Sequence, residues 1–100
     1  MIVLKDEGLY CPEGDFFIDP LLPCKNAVIT HAHADHARPG MKNYICTPET
    51  SEIMKLRISK DLLIKEVEYN NEIQINSVKI TFIPAGHVLS LIHISEPTRR

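Results

Sequence analysis

The segment His31-Ala32-His33-Ala34-Asp35-His36 limits what this chain can fold into more than any other feature. It places three of the five histidines and one carboxylate within a few residues. Imidazole nitrogens and carboxylate oxygens are common zinc ligands, so the fold must let these side chains converge. The apolar run directly before them, residues 27–30, predicts a short buried strand that leads into the cluster.

The spacing inside the cluster predicts two metal ions. In extended backbone, residues i and i+2 face the same way, so His31 and His33 can reach one metal. A turn after Ala34 would direct Asp35 and His36 toward a second. Two metal ions about 3.5–4 Å apart can clamp the attacking and leaving oxygens of a displacement and activate a bridging water. Asp35 is also a candidate to accept the proton of that water. The alternative is a solvated, histidine-rich loop.

Short strands are predicted along much of the chain. The segments concerned are residues 2–4, 15–18, 27–30, 44–46 and 62–67. Alternating apolar residues predict a hairpin of strands 72–75 and 78–83 around Asn76-Ser77. Pro84-Ala85-Gly86 is expected to end the second of these strands and to present His87.

One helix is predicted after residues 44–46. Thr47 is a suitable N-cap, and Pro48 suits the first helical position of a helix that runs to Arg57. The apolar residues that we expect to face the core are Ile53, Met54 and Leu56. Many strands with a helix between them predict an α/β layered domain.

Composition narrows the class of protein. The chain is 44% hydrophobic and 24% charged, as in ordinary globular proteins. A net charge of −2 excludes a broad positive field that would draw nucleic acid. No apolar run could cross a bilayer, and residues 5–7 interrupt any signal-peptide core, so a cytoplasmic location is expected. The three cysteines, without a C-x-x-C pair, are expected to be buried structural thiols in a reducing compartment.

The last twelve residues read as foreign to the rest. Residues 89–100 resemble the translation of a transposase adapter used in sequencing libraries. We therefore expect a non-native tail there and do not count His93 as a ligand. The alternative is a genuine short terminal strand.

The motif His-x-His-x-Asp-His after a short apolar strand resembles the signature of the metallo-β-lactamase superfamily. Residues 8–20, 27–40 and 84–88 are similar to the bacterial ligase-associated DNA exonucleases, which are relatives of the β-CASP nucleases. The resemblance implies that residues 1–88 are the N-terminal part of a metallo-β-lactamase domain. The implied fold class is α/β, specifically the N-terminal half of a four-layer αββα sandwich.

The resemblance also implies a site. His31, His33 and His87 would bind the first metal ion, and Asp35 and His36 the second; zinc is the expected metal. Asp19 matches an acidic residue that supports the site, although Asp19 before Pro20 could simply form a turn. The family supplies further ligands from a downstream Asp and His and continues with Gly-Ser-Ala after the position of Leu89, where this chain has Ser90-Leu91-Ile92.

The function implied for the intact parent protein is that of a metal-dependent nuclease, specifically a DNA exonuclease in DNA repair that is associated with a DNA ligase. An RNA 3′-end processing nuclease and a small-molecule thioester or lactone hydrolase of the same superfamily are the enzyme alternatives. For the chain as given, by contrast, we expect a truncated fragment without activity, which at best binds one zinc ion.

Three further residues have weaker functional interpretations. Arg38 and Lys42 follow the cluster and could contact a phosphate, although exposed charges are usually only solvated. Tyr10 could stack on a base, but packing within the protein is the favoured interpretation.

Overall fold

The computed structural model describes residues 2–30, 38–86 and 89–95 of the chain. In these residues there are nine strands and one helix, α1 (Pro48–Arg57). The strands are β1 (Val3–Lys5), β2 (Gly8–Cys11), β3 (Phe16–Ile18), β4 (Asn26–Val28), β5 (Asn43–Cys46), β6 (Ile64–Glu66), β7 (Glu72–Ile75), β8 (Val78–Gly86) and β9 (Leu89–Ser95).

The first six strands form one mixed sheet in chain order. β1, β2 and β3 are antiparallel neighbours, and β3, β4, β5 and β6 are parallel. The sequence predicted β1 one residue too early and missed β2, which pairs with β1 across the tight turn at Asp6 and Glu7. Because parallel strands end at the same edge, the segments that follow β3, β4 and β5 all leave the sheet at one edge, here called the carboxyl edge.

Side chains that alternate along the parallel strands build two core clusters. Ala27, Tyr44 and Cys46 face α1 and pack with Met54. Val28 and Ile45 face the opposite way, toward the second sheet. The alternation follows from the two-residue period of a strand, and both faces of the large sheet are therefore partly covered.

The second sheet is antiparallel, in the order β7, β8, β9. The predicted hairpin is confirmed, with Ile75 paired to Val78 across the turn at Asn76, whose φ is +54°. β8 buries Val78, Ile80 and Phe82 against the large sheet.

The expected end of the second hairpin strand at Pro84 is wrong. β8 continues to Gly86, with a register shift between Pro84 and Gly86. Proline lacks a backbone N–H, and an irregularity in the ladder is one of the places where a strand can hold it. β9, which lies within the predicted tail, runs alongside β8.

Helix α1 begins and ends at the predicted residues, with Thr47 as its N-cap. Its predicted buried side is only partly right. Met54 is fully buried and Ile53 packs at the edge of the core, but Leu56 is 85% exposed. The positions of Thr50, Ser51 and Met54 share the buried face, which turns Leu56 to solvent.

The predicted α/β class and the four-layer αββα sandwich are wrong for the part of the chain that the structure describes. The nine strands are accompanied by a single ten-residue helix, which packs on one face of the large sheet. The other face is covered by the second sheet, not by helices. Residues 72–83 have the two-residue period of β-strands, so they supply no helix that could cover the outer face of the second sheet. The described residues therefore form a small β-rich domain.

Within residues 2–30, 38–86 and 89–95, no helix combines the length and the apolar character that crossing a membrane requires.

Candidate metal site at the carboxyl edge of the large sheet

A carboxylate–threonine pair joins the ends of β3 and β4. The Thr30 backbone N–H donates to Asp19 Oδ1 at 2.8 Å, and Thr30 Oγ1 donates to Asp19 Oδ2. The Asp19 N–H donates in turn to the carbonyl of Val28 at 3.0 Å. These bonds fix the path of the chain at Thr30, the residue immediately before His31.

Asp19 adopts a left-handed backbone conformation, with φ of +46°. Asp tolerates this region better than most residues because its short side chain can bond to nearby backbone. The conformation ends β3 and is accompanied by the carboxylate contact with Thr30. Asp19 is therefore both the turn former that the sequence allows and a residue that holds the segment entering the cluster.

The five predicted metal ligands lie outside the described residues. His31, His33, Asp35 and His36 fall within residues 31–37, and His87 falls within residues 87–88. Among the described residues, no group of three or more His, Cys, Asp or Glu side chains is arranged to hold a metal ion. The predicted ligand set therefore stays a prediction, and the structure describes only the segments that lead into it.

The N-terminus of α1 also lies at the carboxyl edge, because the helix follows β5. Thr47 Oγ1 accepts from the backbone N–H of Thr50 at 3.4 Å and donates to Thr50 Oγ1 at 3.1 Å. Thr47, Thr50 and Ser51 are fully buried, and the Ser51 hydroxyl has no hydrogen-bond partner in the described part of the chain. Sequence patterning missed this polar cluster because only apolar residues were assigned to the buried side. The small polar residues Thr50 and Ser51, one turn before Met54, were the available signal.

The cysteines behave as structural thiols. Cys11 and Cys46 are buried, and Cys24 is half-buried with its thiol directed at the Asn26 carbonyl, at 3.5 Å. Burial raises the pKa of Cys46 to about 12, and it also raises the pKa of Cys24. Cys46 lies in the core cluster around Met54, and it belongs to no group of potential metal ligands among the described residues.

Tyr10 is half-buried and packs against neighbouring side chains. Its ring lies 4.6 Å from that of Phe17, on the neighbouring strand β3, and Lys5 Nζ on β1 lies 4.3 Å from the ring centroid. Its hydroxyl donates to Asp15 Oδ1 at 2.6 Å, and this bond raises the pKa of Tyr10. Flanked from both neighbouring strands, the ring is not offered as a free stacking platform, as the favoured interpretation expected.

The two basic residues after the cluster differ in their surroundings. Lys42 is exposed, whereas Arg38 is half-buried and its Nε atom is buried without a hydrogen-bond partner in the described residues. The Arg38 carbonyl accepts from the Tyr44 hydroxyl at 2.7 Å. The sequence predicted the same possible phosphate contact for both residues, because the burial of individual atoms cannot be predicted from it.

No protein-family model matches the chain. Over 82 residues, 81% of the chain, it is 27% identical to a protein of Opitutus terrae named "Probable DNA ligase". The matched segment spans only 8% of that ligase. The chain is therefore similar, over most of its length, to a small part of a much longer protein that is named for an activity on DNA.

Proposed function

We propose that the chain contributes the first metal-binding segments of a metal-dependent nuclease of the metallo-β-lactamase superfamily, acting on DNA in repair. The sequence support is the motif His-x-His-x-Asp-His directly after a buried strand. The structural observation that carries the proposal is the pairing of Asp19 with Thr30. It anchors the chain one residue before the motif, at the edge of the sheet where the parallel strands end.

The residues proposed to hold the metal ions are His31, His33 and His87 for one ion and Asp35 and His36 for the other. Asp19 fits a supporting role, since residues that orient metal ligands through hydrogen bonds are a regular part of such sites. The donor set of imidazoles and a carboxylate suits zinc.

The chemistry proposed is hydrolysis of a phosphodiester. Divalent cations at such a site would lower the pKa of water and stabilise the charge on the phosphoryl oxygens. From the chain itself, Asp35 would accept the proton of the attacking water, and the Asp19–Thr30 pair would hold the start of the ligand segment in position.

The DNA substrate and an association with a DNA ligase are supported by the similarity to part of a protein named as a probable DNA ligase. A segment that occurs within a ligase polypeptide would work on the same DNA ends. The cytoplasm is the proposed location.

Metal content provides the first test. The purified 100-residue chain should retain about one zinc ion, measured by plasma mass spectrometry after dialysis, because the second ion would lack the downstream Asp and His ligands that the resemblance implies. His31→Ala and His33→Ala should lose that ion. His93→Ala is the matched control, because His93 lies in the predicted tail, and it should keep the metal. A wild-type chain that holds no metal, or a His93 variant that loses it as completely as the His31 variant, contradicts the proposal.

Activity is tested on the proposed parent protein, with labelled single-stranded DNA, RNA and a thioester in parallel. We expect hydrolysis of DNA, and a loss of about 100-fold or more in Asp35→Ala, because a positioned proton acceptor contributes on that scale. Preferential hydrolysis of RNA or of the thioester would contradict the proposed DNA substrate and support one of the alternatives. Undiminished activity in Asp35→Ala would contradict the proposed site.

A further inference from the structure

Within the described residues, four strands lie at the edges of the two sheets, and β9 differs from the other three. The edge strands of the large sheet are β1 and β6, and those of the second sheet are β7 and β9. β9 has seven residues, and none of them is a Lys, Arg, Asp, Glu or Pro. The other three edge strands have three or four residues, and each contains at least one charged side chain. Edge strands are commonly kept from pairing by being short or charged, and β9 has neither protection.

The register of the second sheet shows which way the backbone groups of β8 point. Ile75 and Val78 flank a two-residue turn and therefore exchange hydrogen bonds, so the backbone groups of Val78 and of every second residue after it point toward β7. The Phe82 carbonyl agrees with this direction, because it accepts from the N–H of Asn70, just before β7, at 2.8 Å. The residues between these point toward β9.

The backbone of β9 alternates in the same way. The residues of β8 that point toward β9 are paired with Ser95, His93 and Leu91, whose backbone groups are therefore used within the second sheet. The residues between them direct their N–H and C=O groups away from β8, to the side where no described strand lies. These residues are Ser90, Ile92 and Ile94. The open edge of β9 thus presents three donors and three acceptors in a row.

This edge is held in place by the rest of the sheet. β9 is paired with β8 along its whole length, and Ile94 packs against the core cluster that contains Ile80 and Phe82. A strand that is already extended and fixed loses less entropy when it pairs with another strand than a flexible segment does.

We propose that β9 is the interface through which two copies of this chain form a dimer. Two β9 strands that run antiparallel about a two-fold axis at Ile92 place Ile92 opposite its own copy, and Ser90 opposite Ile94 of the second copy. Every outward N–H then meets an outward C=O, and the two second sheets join into one sheet of six strands. Such an isologous contact closes on itself, so assembly stops at two copies.

Charge and the origin of the tail both favour a second copy as the occupant. The chain has a net charge of −2, so two copies repel each other and associate best through a surface without charged side chains, as β9 is. Residues 89–100 are expected to be foreign to the fold, so no selection has placed a charge or a proline on this strand to prevent pairing. The inference uses backbone geometry and is independent of the proposed function.

The oligomeric state tests the proposal directly. Sedimentation velocity of the 100-residue chain is measured from about 1 μM to about 1 mM, a range that covers weak and moderate affinities. EDTA is present, so that metal ions do not link the histidines of two copies. We expect a shift from monomer to dimer as the concentration rises. Amide exchange measured by NMR should show the N–H groups of Ser90, Ile92 and Ile94 becoming protected over the same range.

Two proline variants test the interface at matched positions. Ile92→Pro removes an N–H that the ladder of β8 and β9 does not use, and it should weaken the dimer about tenfold or more because one hydrogen bond is lost from each copy. Leu4→Pro is the control. Lys5 and Gly8 flank a two-residue turn, so the Leu4 N–H points away from β2 at the edge of β1, and its removal should change dimerisation by less than about twofold.

The proposal is overturned by a chain that stays monomeric throughout this range, by assemblies larger than a dimer, or by equal weakening in the two proline variants. Protection of the three amides that does not change with concentration also contradicts it. If circular dichroism shows that Ile92→Pro does not fold, Ser90→Glu decides, because it places a carboxylate at each end of the interface. This variant should weaken the dimer several-fold, and an unchanged dimer counts against β9 as the contact.

Discussion

The two ends of the parallel strands β3–β6 differ in how their polar groups are paired. At the amino end, neutral amides bond to one another: Asn43 Nδ2 donates to Asn26 Oδ1 at 2.9 Å, and Asn26 Nδ2 donates to the Asp15 carbonyl at 3.0 Å. The open groove beside them, about 450 Å³, is lined mainly by apolar surface and strand backbone and includes Leu63. These contacts tie strands together.

At the carboxyl end, Asp19 carries a carboxylate and has a left-handed backbone conformation. The buried hydroxyl of Ser51 has no hydrogen-bond partner among the described residues. Both lie at the carboxyl edge of the large sheet, Asp19 after β3 and Ser51 near the start of α1. The difference teaches that the amino end is tied together by neutral amides, whereas the carboxyl end combines a charged carboxylate that accepts from Thr30 with a buried hydroxyl that no described residue satisfies.

The largest effect expected from this comparison is that of Asp19→Ala. It removes two hydrogen bonds to a carboxylate and puts alanine at positive φ, so we expect the free energy of unfolding to fall by about 2–3 kcal/mol in urea titrations. Asn43→Ala, the matched change at the amino end, should cost about 1 kcal/mol because it removes one neutral bond. Asp19→Asn, which tolerates the same backbone, should cost less than Asp19→Ala. Equal losses of unfolding free energy in Asp19→Ala and Asn43→Ala would show that the two ends of the strands do not differ in this respect.

Thr47→Ala should have a smaller effect, a loss of about 1 kcal/mol, because it removes the N-cap of α1 at the carboxyl end. In thermal unfolding followed by circular dichroism, this corresponds to a fall in Tm of about 4–8 °C. Thr47→Ser should retain most of the stability. Leu56→Ala, at an 85% exposed position of the same helix, is the control and should change stability by less than about 0.5 kcal/mol. A Thr47 variant as stable as the Leu56 variant would show that the cap contributes nothing.

The smallest effect is expected for Ser51→Ala, and its sign is informative. If the hydroxyl has no partner, removing it leaves stability unchanged or raises it by up to about 0.5 kcal/mol, since alanine also favours the helix. Thr50→Ala, which loses a described bond to Thr47, should destabilise by about 1 kcal/mol in the same urea titration. A loss above 1 kcal/mol in Ser51→Ala would mean that Ser51 is bonded to something outside the described residues.

Local signals in the sequence predicted the local structure well. Thr47 and Pro48 placed the start of α1 correctly, and the alternation around Asn76 placed both strands of the hairpin up to its turn. These features depend on contacts between residues a few positions apart, so the order of the side chains along the chain is enough to predict them. The missed strand β2 has a weak alternation of its own and is held by pairing on both sides with β1 and β3.

The arrangement of the sheets and the helix in layers could not be predicted from such local signals. Strands with a helix between them suggested an α/β sandwich, but which element covers which face depends on long-range packing. The helix buries two small polar residues beside Met54 and turns Leu56 to solvent, an orientation that apolar content alone predicted wrongly.

For the candidate site, the sequence by itself predicted the ligand types and their spacing in residues 31–36, because the choice of metal ligand depends on side-chain identity. Only the tertiary structure decided that Asp19, eleven residues before Thr30, bonds to it, and that Arg38 rather than Lys42 has a buried donor atom without a partner among the described residues. Burial and pairing across neighbouring strands are properties of the folded chain in space, and no stretch of sequence contains them.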